Sequence, residues 1–182
     1  AGHVQGAGLS PKAENSGKPG KFTESRLGKG ARTMTNGYLY DPHTHTAETS
    51  KCGHLFAADV VDRYVRHGFS GLVVTDHLHP EYLSRIDTEH NWDKVMDHYL
   101  TGYHASKKRG DEAGLDVILG AELRFPENDN DYLVYGIDEQ WLRSNPYICC
   151  MSAQEFFDKY HQQVLIIHAH PFRKGSAPVQ ES

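Results

Sequence analysis

Cysteine is scarce in this chain and irregularly placed, with Cys52 and the adjacent pair Cys149 and Cys150 making three in 182 residues. An odd count without regular spacing excludes a disulfide framework. No apolar run approaches the length of a membrane helix, and residues 1–30 lack the apolar core of a signal peptide. We therefore expect a cytoplasmic protein that does not interact with a membrane.

Basic charge is also limited, since the formal net charge is −5. Phosphate backbones are bound by basic surfaces, so a general nucleic-acid interface is disfavoured, whereas a local basic pocket stays open. The composition of 38% hydrophobic and 24% charged residues is that of an ordinary soluble domain with a buried core.

Histidine, in contrast, is abundant, with 13 residues. The first cluster is Asp41, His43 and His45 in the segment YLYDPHTH. Residues i and i+2 of a strand share a face, so these three side chains would project together, and a His-x-His pair suits zinc or a related ion. The alternative is a solvated loop with two incidental histidines.

Residues 1–36 are rich in Gly, Ser, Lys, Asn and Pro and nearly devoid of large apolar side chains. Such a segment buries too little apolar surface to offset its chain entropy, so we predict a disordered or non-native N-terminal extension. The first methionine, Met34, precedes the first predicted strand. We expect the native start there, which an intact mass would test.

The remaining chain, 37–182, alternates predicted strands and helices. Strands are predicted at 38–45, 71–77, 116–125, 131–137 and 164–170, and helices at 55–67, 92–113 and 152–161. Gly68 and Gly114 mark helix ends, and Ser152 with Glu155 forms a capping box. This alternation predicts an α/β fold with a parallel sheet, either open or barrel-like.

Polar residues recur where the predicted strands end. They are His43 and His45, then Asp76 and His77, then Glu122, and finally His168 and His170. In parallel α/β folds ligands bind at the carboxyl ends of strands. Four consistent placements from separate segments therefore predict a functional site.

The motifs DPHTHT, CGH (52–54), TDH (75–77), GAE (120–122) and HAHPFR (168–173), in this order and spacing, resemble the PHP family, named for polymerase and histidinol phosphatase domains. The strings ELRFPENDNDYLVYG and IIHAHPFR are most similar to small stand-alone bacterial PHP phosphoesterases. The resemblance implies a distorted seven-stranded (β/α) TIM-like barrel, incomplete in this chain. It also implies two or three divalent metal ions (zinc, manganese or iron) at the barrel mouth.

By the same resemblance, His43 and His45 would hold one metal ion, and Glu122 would bridge it to a second ion completed by His170. A bridging carboxylate is chemically reasonable because its two oxygens can serve two cations. The alternative for Glu122 is a salt bridge with Arg124.

A third ion would be held by His54 and His77, although a loop histidine such as His54 also occurs without metal. The spacing alone does not separate His168 from His170, but the family pattern favours the histidine directly before proline. Pro171 should hold His170 in an extended conformation.

Three further side chains are candidates for supporting roles. Arg173 would clamp a substrate phosphate with its planar guanidinium group, or else is a surface arginine. Asp41 would orient a ligand histidine, and Asp131 is a weaker candidate ligand.

The chain has no late Ser-Asp-x-His motif, which the resemblance would place at the C-terminus, so we expect an N-terminal fragment of a longer PHP domain. Reading the parent gene past Ser182 would test this. The predicted function is hydrolysis of a small phosphorylated substrate, such as a histidinol-phosphate-like monoester or a nucleotide, by a metal-activated water. The alternatives are a vestigial metal-binding domain and a metal-dependent amidohydrolase; oligomeric state is left open.

Overall fold

The structure is a computed structural model that describes residues 37–173. The predicted disorder of residues 1–36 lies outside the described residues. The strands are β1 (Tyr40–Thr44), β2 (Gly71–Val74), β3 (His77–Leu78), β4 (Asp116–Leu119), β5 (Ala121–Arg124), β6 (Asp131–Tyr135) and β7 (Leu165–His168). The helices are α1 (Ala57–Arg66), α2 (Pro80–Ile86), α3 (Trp92–Tyr99), α4 (Thr101–Ala113), α5 (Glu139–Ser144) and α6 (Ala153–Tyr160), with a 3₁₀ helix at Ile148–Cys150. No helix within this range is long and apolar enough to cross a membrane.

The described strands form two sheets instead of one. The first sheet has the order β1-β2-β4 and is parallel throughout. The second has the order β3-β5-β6-β7, in which β3 and β5 are parallel while β5-β6 and β6-β7 are antiparallel. The prediction of a parallel sheet therefore holds for only part of the fold, and among the described residues no closed barrel is formed.

The antiparallel pairing of β5 with β6 has a local cause. Only residues 125–130 separate the two strands, and a loop that short returns the chain beside itself, whereas a parallel neighbour needs a crossover of a dozen or more residues. The β6-to-β7 connection is long and helical yet also returns antiparallel. The length of the connection therefore does not by itself determine the direction of β7.

The chain passes from the first sheet to the second at two neighbouring points. One lies between β2 and β3, at Thr75 and Asp76, and the other at Gly120, between β4 and β5. A β-carbon at Gly120 would lie 3.0 Å from side-chain carbons of both Val73 and Thr75. Glycine permits this close approach, and the predicted strand 116–125 is divided there into two strands of different sheets.

The predicted helix 92–113 is likewise two helices, because α3 ends at Tyr99 and α4 begins at Thr101, with Leu100 between them. Helices α2 and α5 escaped prediction, although each has a side-chain cap, from His79 ahead of Pro80 and from Asp138. Gly114 ends α4 with a φ of +72°, as predicted. The predicted capping box that begins α6 is also present.

Two apolar clusters hold the elements together. The larger joins the second sheet to the helices α2, α3, α5 and α6, and includes Leu123, Val134 and Phe156. The smaller packs α1 on the first sheet through Val61 and Leu72. Burying each such side chain contributes about 1.5–3 kcal/mol.

Candidate metal centre

Glu122 is the middle of the candidate site. It lies on β5, where the parallel register places it beside His77 of β3, and its side chain is completely buried. The end of β1 contributes His43 and His45, and the segment after β7 contributes His170. The structure therefore brings together five of the six predicted metal ligands, drawn from both sheets.

Four imidazoles face the two carboxylate oxygens of Glu122 in pairs. Oε1 lies 3.5 Å from His43 Nε2 and 3.2 Å from His170 Nε2. Oε2 lies 3.2 Å from His45 Nε2 and 2.9 Å from His77 Nδ1. Each oxygen thus has its own pair of imidazole nitrogens, an arrangement compatible with metal binding at this carboxylate.

Several of these buried atoms make no hydrogen bond although they are close to one another. Among the described residues they include Glu122 Oε2 and His77 Nδ1, which lie 2.9 Å apart. Burying a carboxylate oxygen without a partner is costly, whereas a cation between oxygen and nitrogen would satisfy both. This donor set of carboxylate oxygen and imidazole nitrogen therefore fits a divalent metal ion.

The protonation states also suit metal binding. Burial raises the pKa of Glu122, but contacts with His45 and His77 outweigh burial and hold its pKa well below the usual range. Burial lowers the pKa of His43, against the opposing effect of Glu122. The carboxylate is consequently charged and the His43 ring neutral near pH 7, the forms that bind metal.

The His43 ring is oriented from behind by Thr75. Its Nδ1 lies 3.1 Å from the Thr75 hydroxyl, which in turn donates a hydrogen bond to the Thr44 carbonyl at 3.3 Å. The consistent assignment is that Nδ1–H donates to Thr75, which leaves the Nε2 lone pair directed at Glu122. Support of this kind fixes the tautomer of a metal-binding histidine.

Asp76 fixes the turn that follows His45. Its buried carboxylate accepts hydrogen bonds from the Thr46 amide at 2.8 Å, the Thr46 hydroxyl at 2.7 Å and the Ser50 hydroxyl at 2.7 Å. Its Oδ1 also lies 3.9 Å from His45 Nδ1. Sequence reasoning placed Asp76 at a strand end but did not assign this structural role.

Asp41 supports His43 through the backbone. It accepts a hydrogen bond from the His43 amide at 3.0 Å and another from the Tyr64 hydroxyl at 2.6 Å. We expected Asp41 to orient a histidine ring. In the structure it positions the main chain of His43 instead.

The predicted alternative of a salt bridge between Glu122 and Arg124 is not what the structure shows. Arg124 instead binds Asp131 through two hydrogen bonds, of 2.9 and 3.1 Å. This pairing leaves Glu122 to the histidines. Asp131 still lies within reach of His77 and Glu122, since one ligand atom of each falls within 4.8 Å of the others.

His54 and His168 are not in this cluster. His54 is exposed and lines a cavity of about 510 Å³ beside His43 and His45. His168 stacks on the Tyr132 ring, with centroids 5.3 Å apart. Of the two histidines that spacing left open, His170 is therefore the one beside Glu122.

His170 is not extended, contrary to prediction, because its φ is +49°. Proline disfavours a right-handed helical conformation in the preceding residue, and His170 meets this restriction with left-handed backbone. Left-handed backbone in a residue other than glycine costs about 1–3 kcal/mol and is concentrated at functional sites. Here it accompanies the approach of Nε2 to Glu122.

Arg173 is the last described residue, and its side chain is 66% exposed. One guanidinium nitrogen lies 4.0 Å from Asp131 Oδ2, at the rim of the cluster. The phosphate-clamp role stays a prediction.

Cys52 is the residue that sequence reasoning missed. Its Sγ forms a group with His45 and His77 in which one ligand atom of each lies within 4.8 Å of the others. The only sequence signal was the proximity of Cys52 to His54 in CGH, which pointed to the histidine.

Comparison with known proteins gives weak similarities. No family model matches the chain, and no curated protein matches significantly. One similar solved structure is a two-domain protein of Bacteroides vulgatus described as containing a predicted PHP-like metal-dependent phosphoesterase, with 17% identity, a TM-score of 0.48, and coverage of 71% of this chain and 34% of that one.

Two further solved structures are a protein of Bifidobacterium adolescentis whose description as a metal-dependent phosphoesterase is itself a prediction, and an amidohydrolase of Chromobacterium violaceum. Both are 20% identical, with TM-scores of 0.40 and 0.38. They are matched over 66% and 55% of this chain and over 32% and 28% of their own. The chain thus spans about a third of the length of these proteins, and similarity at this level assigns no activity.

Proposed function

We propose that this protein is a metal-dependent hydrolase of the PHP phosphoesterase type, acting on a small phosphorylated substrate. The observation that carries the proposal is Glu122, a fully buried carboxylate whose two oxygens each face two imidazole nitrogens. A structural ion pair needs one partner, whereas four imidazoles around one carboxylate support a site for two cations.

The proposed ligands form two groups, one at each carboxylate oxygen of Glu122. His43 and His170 would bind on the Oε1 side of Glu122, and His45 and His77 on the Oε2 side. Divalent ions bound there would activate a water molecule and neutralise charge on the phosphoryl oxygens. His54, in the adjoining cavity, is retained as a proposed ligand of a further ion.

Positive side chains near the site favour a phosphorylated substrate. Arg173 lies at the rim and would clamp a non-bridging phosphate oxygen. Lys51, Arg85 and Arg124 line a smaller cavity of about 220 Å³ that includes His77. Arg124 is paired with Asp131 and Glu81 also lines this cavity, so Lys51 and Arg85 are the cations there that favour a phosphate.

The amidohydrolase alternative gains nothing from the structure. That alternative would gain from a carbamylated lysine at a strand end, and within residues 37–173 the lysines lie on helices or, for Lys51, in a loop. An activity measurement distinguishes a vestigial metal-binding domain from an enzyme.

The proposal is tested by replacing His43 and His45 together with alanine. We expect the double variant to lose most bound metal and at least ~100-fold of its activity on a chromogenic phosphomonoester, because two ligands are removed. His104→Ala is the matched control, since His104 lies on α4 and contacts Glu139 at 2.8 Å.

Metal per chain is measured by elemental analysis alongside activity. Activity that survives in the double variant overturns the proposal. A wild-type chain that binds metal yet hydrolyses no phosphate ester supports the vestigial alternative instead.

A further inference from the structure

The position of Cys52 is fixed by the turn that follows β1. Within this turn the Ser50 amide donates to the Thr46 carbonyl at 2.9 Å, and the Gly53 amide donates to the Ser50 carbonyl at 3.0 Å. Gly53 packs so closely that a β-carbon there would lie 2.5 Å from the Thr46 carbonyl carbon. Cys52 is thereby held between two anchored residues.

The same turn is attached to the strand that carries His77. Asp76 accepts hydrogen bonds from Thr46 and Ser50, and the Ser50 hydroxyl accepts one from the His77 amide at 2.9 Å. The loop and the β3 strand are therefore one hydrogen-bonded unit. This attachment brings Cys52 beside His77 although 25 positions separate them in the sequence.

Unsatisfied buried atoms lie on this side of the cluster. Glu122 Oε2, on a side chain with no exposed surface, makes no hydrogen bond and lies 2.9 Å from His77 Nδ1 and 3.2 Å from His45 Nε2. These two histidines are the ones that group with Cys52. His45 and His77 are therefore shared, since each contacts the buried Glu122 oxygen and both group with the Cys52 sulfur.

We propose that the Cys52 thiolate is a ligand of the metal ion on the Oε2 side of Glu122, together with His45 and His77. The inference deepens the proposed function and rests on it, because it concerns the same pair of ions. It assigns one ion a donor set of two nitrogens, one oxygen and one sulfur, which tetrahedral zinc accepts.

With Cys52 as a ligand, the two metal sites on either side of Glu122 would differ in which metal ion they prefer. Thiolate is a soft ligand that favours zinc or cobalt and disfavours manganese, whereas His43 and His170 offer nitrogen only. We therefore expect the Oε2 side to be selective for zinc-like ions. Bound metal should also protect Cys52 from alkylation.

The experiment is cobalt(II) titration of the 182-residue chain, followed by absorption spectroscopy. Thiolate ligation produces a sulfur-to-cobalt charge-transfer band in the near ultraviolet, while visible d–d bands report cobalt bound by any ligand. Cys52→Ser should abolish the charge-transfer band and weaken cobalt binding at least ~10-fold, while d–d absorption persists at higher cobalt.

Cys150→Ser is the matched control. Cys150 is also exposed, yet it belongs to none of the potential metal groups found among the described residues, so its replacement should keep the charge-transfer band. Cys52→Asp provides a second check because it retains an anionic ligand. It should restore tight binding without the charge-transfer band.

The outcomes separate this inference from the proposed function. Cobalt bound with d–d bands but no charge-transfer band in the wild-type chain overturns the Cys52 assignment alone. So does a charge-transfer band that survives in Cys52→Ser. A folded wild-type chain that binds no cobalt overturns the metal centre itself, and with it both proposals.

Discussion

The Thr75 hydroxyl contacts the His43 ring and also forms hydrogen bonds with the backbone of Thr44. It is completely buried, accepts a hydrogen bond from the Thr44 amide at 3.2 Å and lies 3.1 Å from His43 Nδ1. One side chain therefore determines both the path of β1 and the direction of the imidazole.

We predict that Thr75→Val weakens metal binding about 10- to 100-fold, since valine keeps the shape but removes the acceptor that orients the ring. The free energy of unfolding of the metal-free chain should fall by about 1–3 kcal/mol, because the buried Thr44 amide loses its partner. Competition with a chromogenic chelator measures the affinity, and urea denaturation measures the stability.

Thr49→Val is the control, because Thr49 is also buried and its hydroxyl donates to the Tyr99 carbonyl at 3.0 Å, whereas that of Thr75 lies against the His43 ring. It should destabilise the chain while leaving metal affinity unchanged. Equal affinity losses in the two variants would mean that Thr75 acts through stability only.

At the residue scale, the sequence predicted which histidines approach Glu122 because strand alternation and strand ends are local properties. His43, His45 and His77 needed only the two-residue period and the expectation that strand ends converge. Cys52 could not be found in this way, since its position depends on hydrogen bonds between its turn and Asp76. His170 was favoured over His168 by the family resemblance and does lie beside Glu122, but its left-handed backbone was not predicted.

At the scale of elements, helix α4 approaches the site through a glycine. Gly102 lies in its first turn, and a β-carbon there would overlap Thr46 Oγ1 and lie 3.0 Å from Asp76 Oδ2. The helix therefore packs directly on the hydrogen bonds that Asp76 accepts from Thr46 and Ser50, which fix the turn after β1. We call this group the Asp76 clamp.

We predict that Gly102→Ala displaces this clamp and weakens metal binding by about 10-fold, as for other changes to residues that support ligands. The higher helix propensity of alanine, about 1 kcal/mol, should be offset by about 1–3 kcal/mol of overpacking. Calorimetric titration with zinc or cobalt measures the affinity directly.

Gly110→Ala is the matched control in the same helix. Its β-carbon would meet Val117 Cγ2 at 2.6 Å, on the first sheet and away from the histidines. The Gly110→Ala variant should also be overpacked, yet it should bind metal as tightly as the wild-type chain does. Unchanged affinity in Gly102→Ala would show that the Asp76 clamp does not control the site.

The elements were predictable where their signals are local. Alternating apolar residues, Gly114 and the Ser152 capping box gave helices and strands close to those observed. Gly120 was read as part of one strand because its neighbours are apolar on both sides. Only the contact with Val73 and Thr75 reveals that the chain changes sheets there.

At the scale of the whole molecule, the candidate centre connects the two sheets. His43 belongs to the first sheet, through β1, while His77 and Glu122 belong to the second, through β3 and β5. A bound cation would therefore act as a cross-link between sheets that are otherwise joined by chain crossings and side-chain packing.

Such a cross-link should stabilise the fold by mass action. At free zinc 100 times its dissociation constant, binding to the folded chain adds about 2.7 kcal/mol to the free energy of unfolding. For a chain of this size that corresponds to an increase in Tm of roughly 5–10 °C. Thermal denaturation followed by circular dichroism, with zinc and with EDTA, measures the difference. Glu122→Gln should show no zinc-dependent increase because the bridging charge is lost, and equal Tm values for the wild-type chain in zinc and EDTA would contradict the proposed centre.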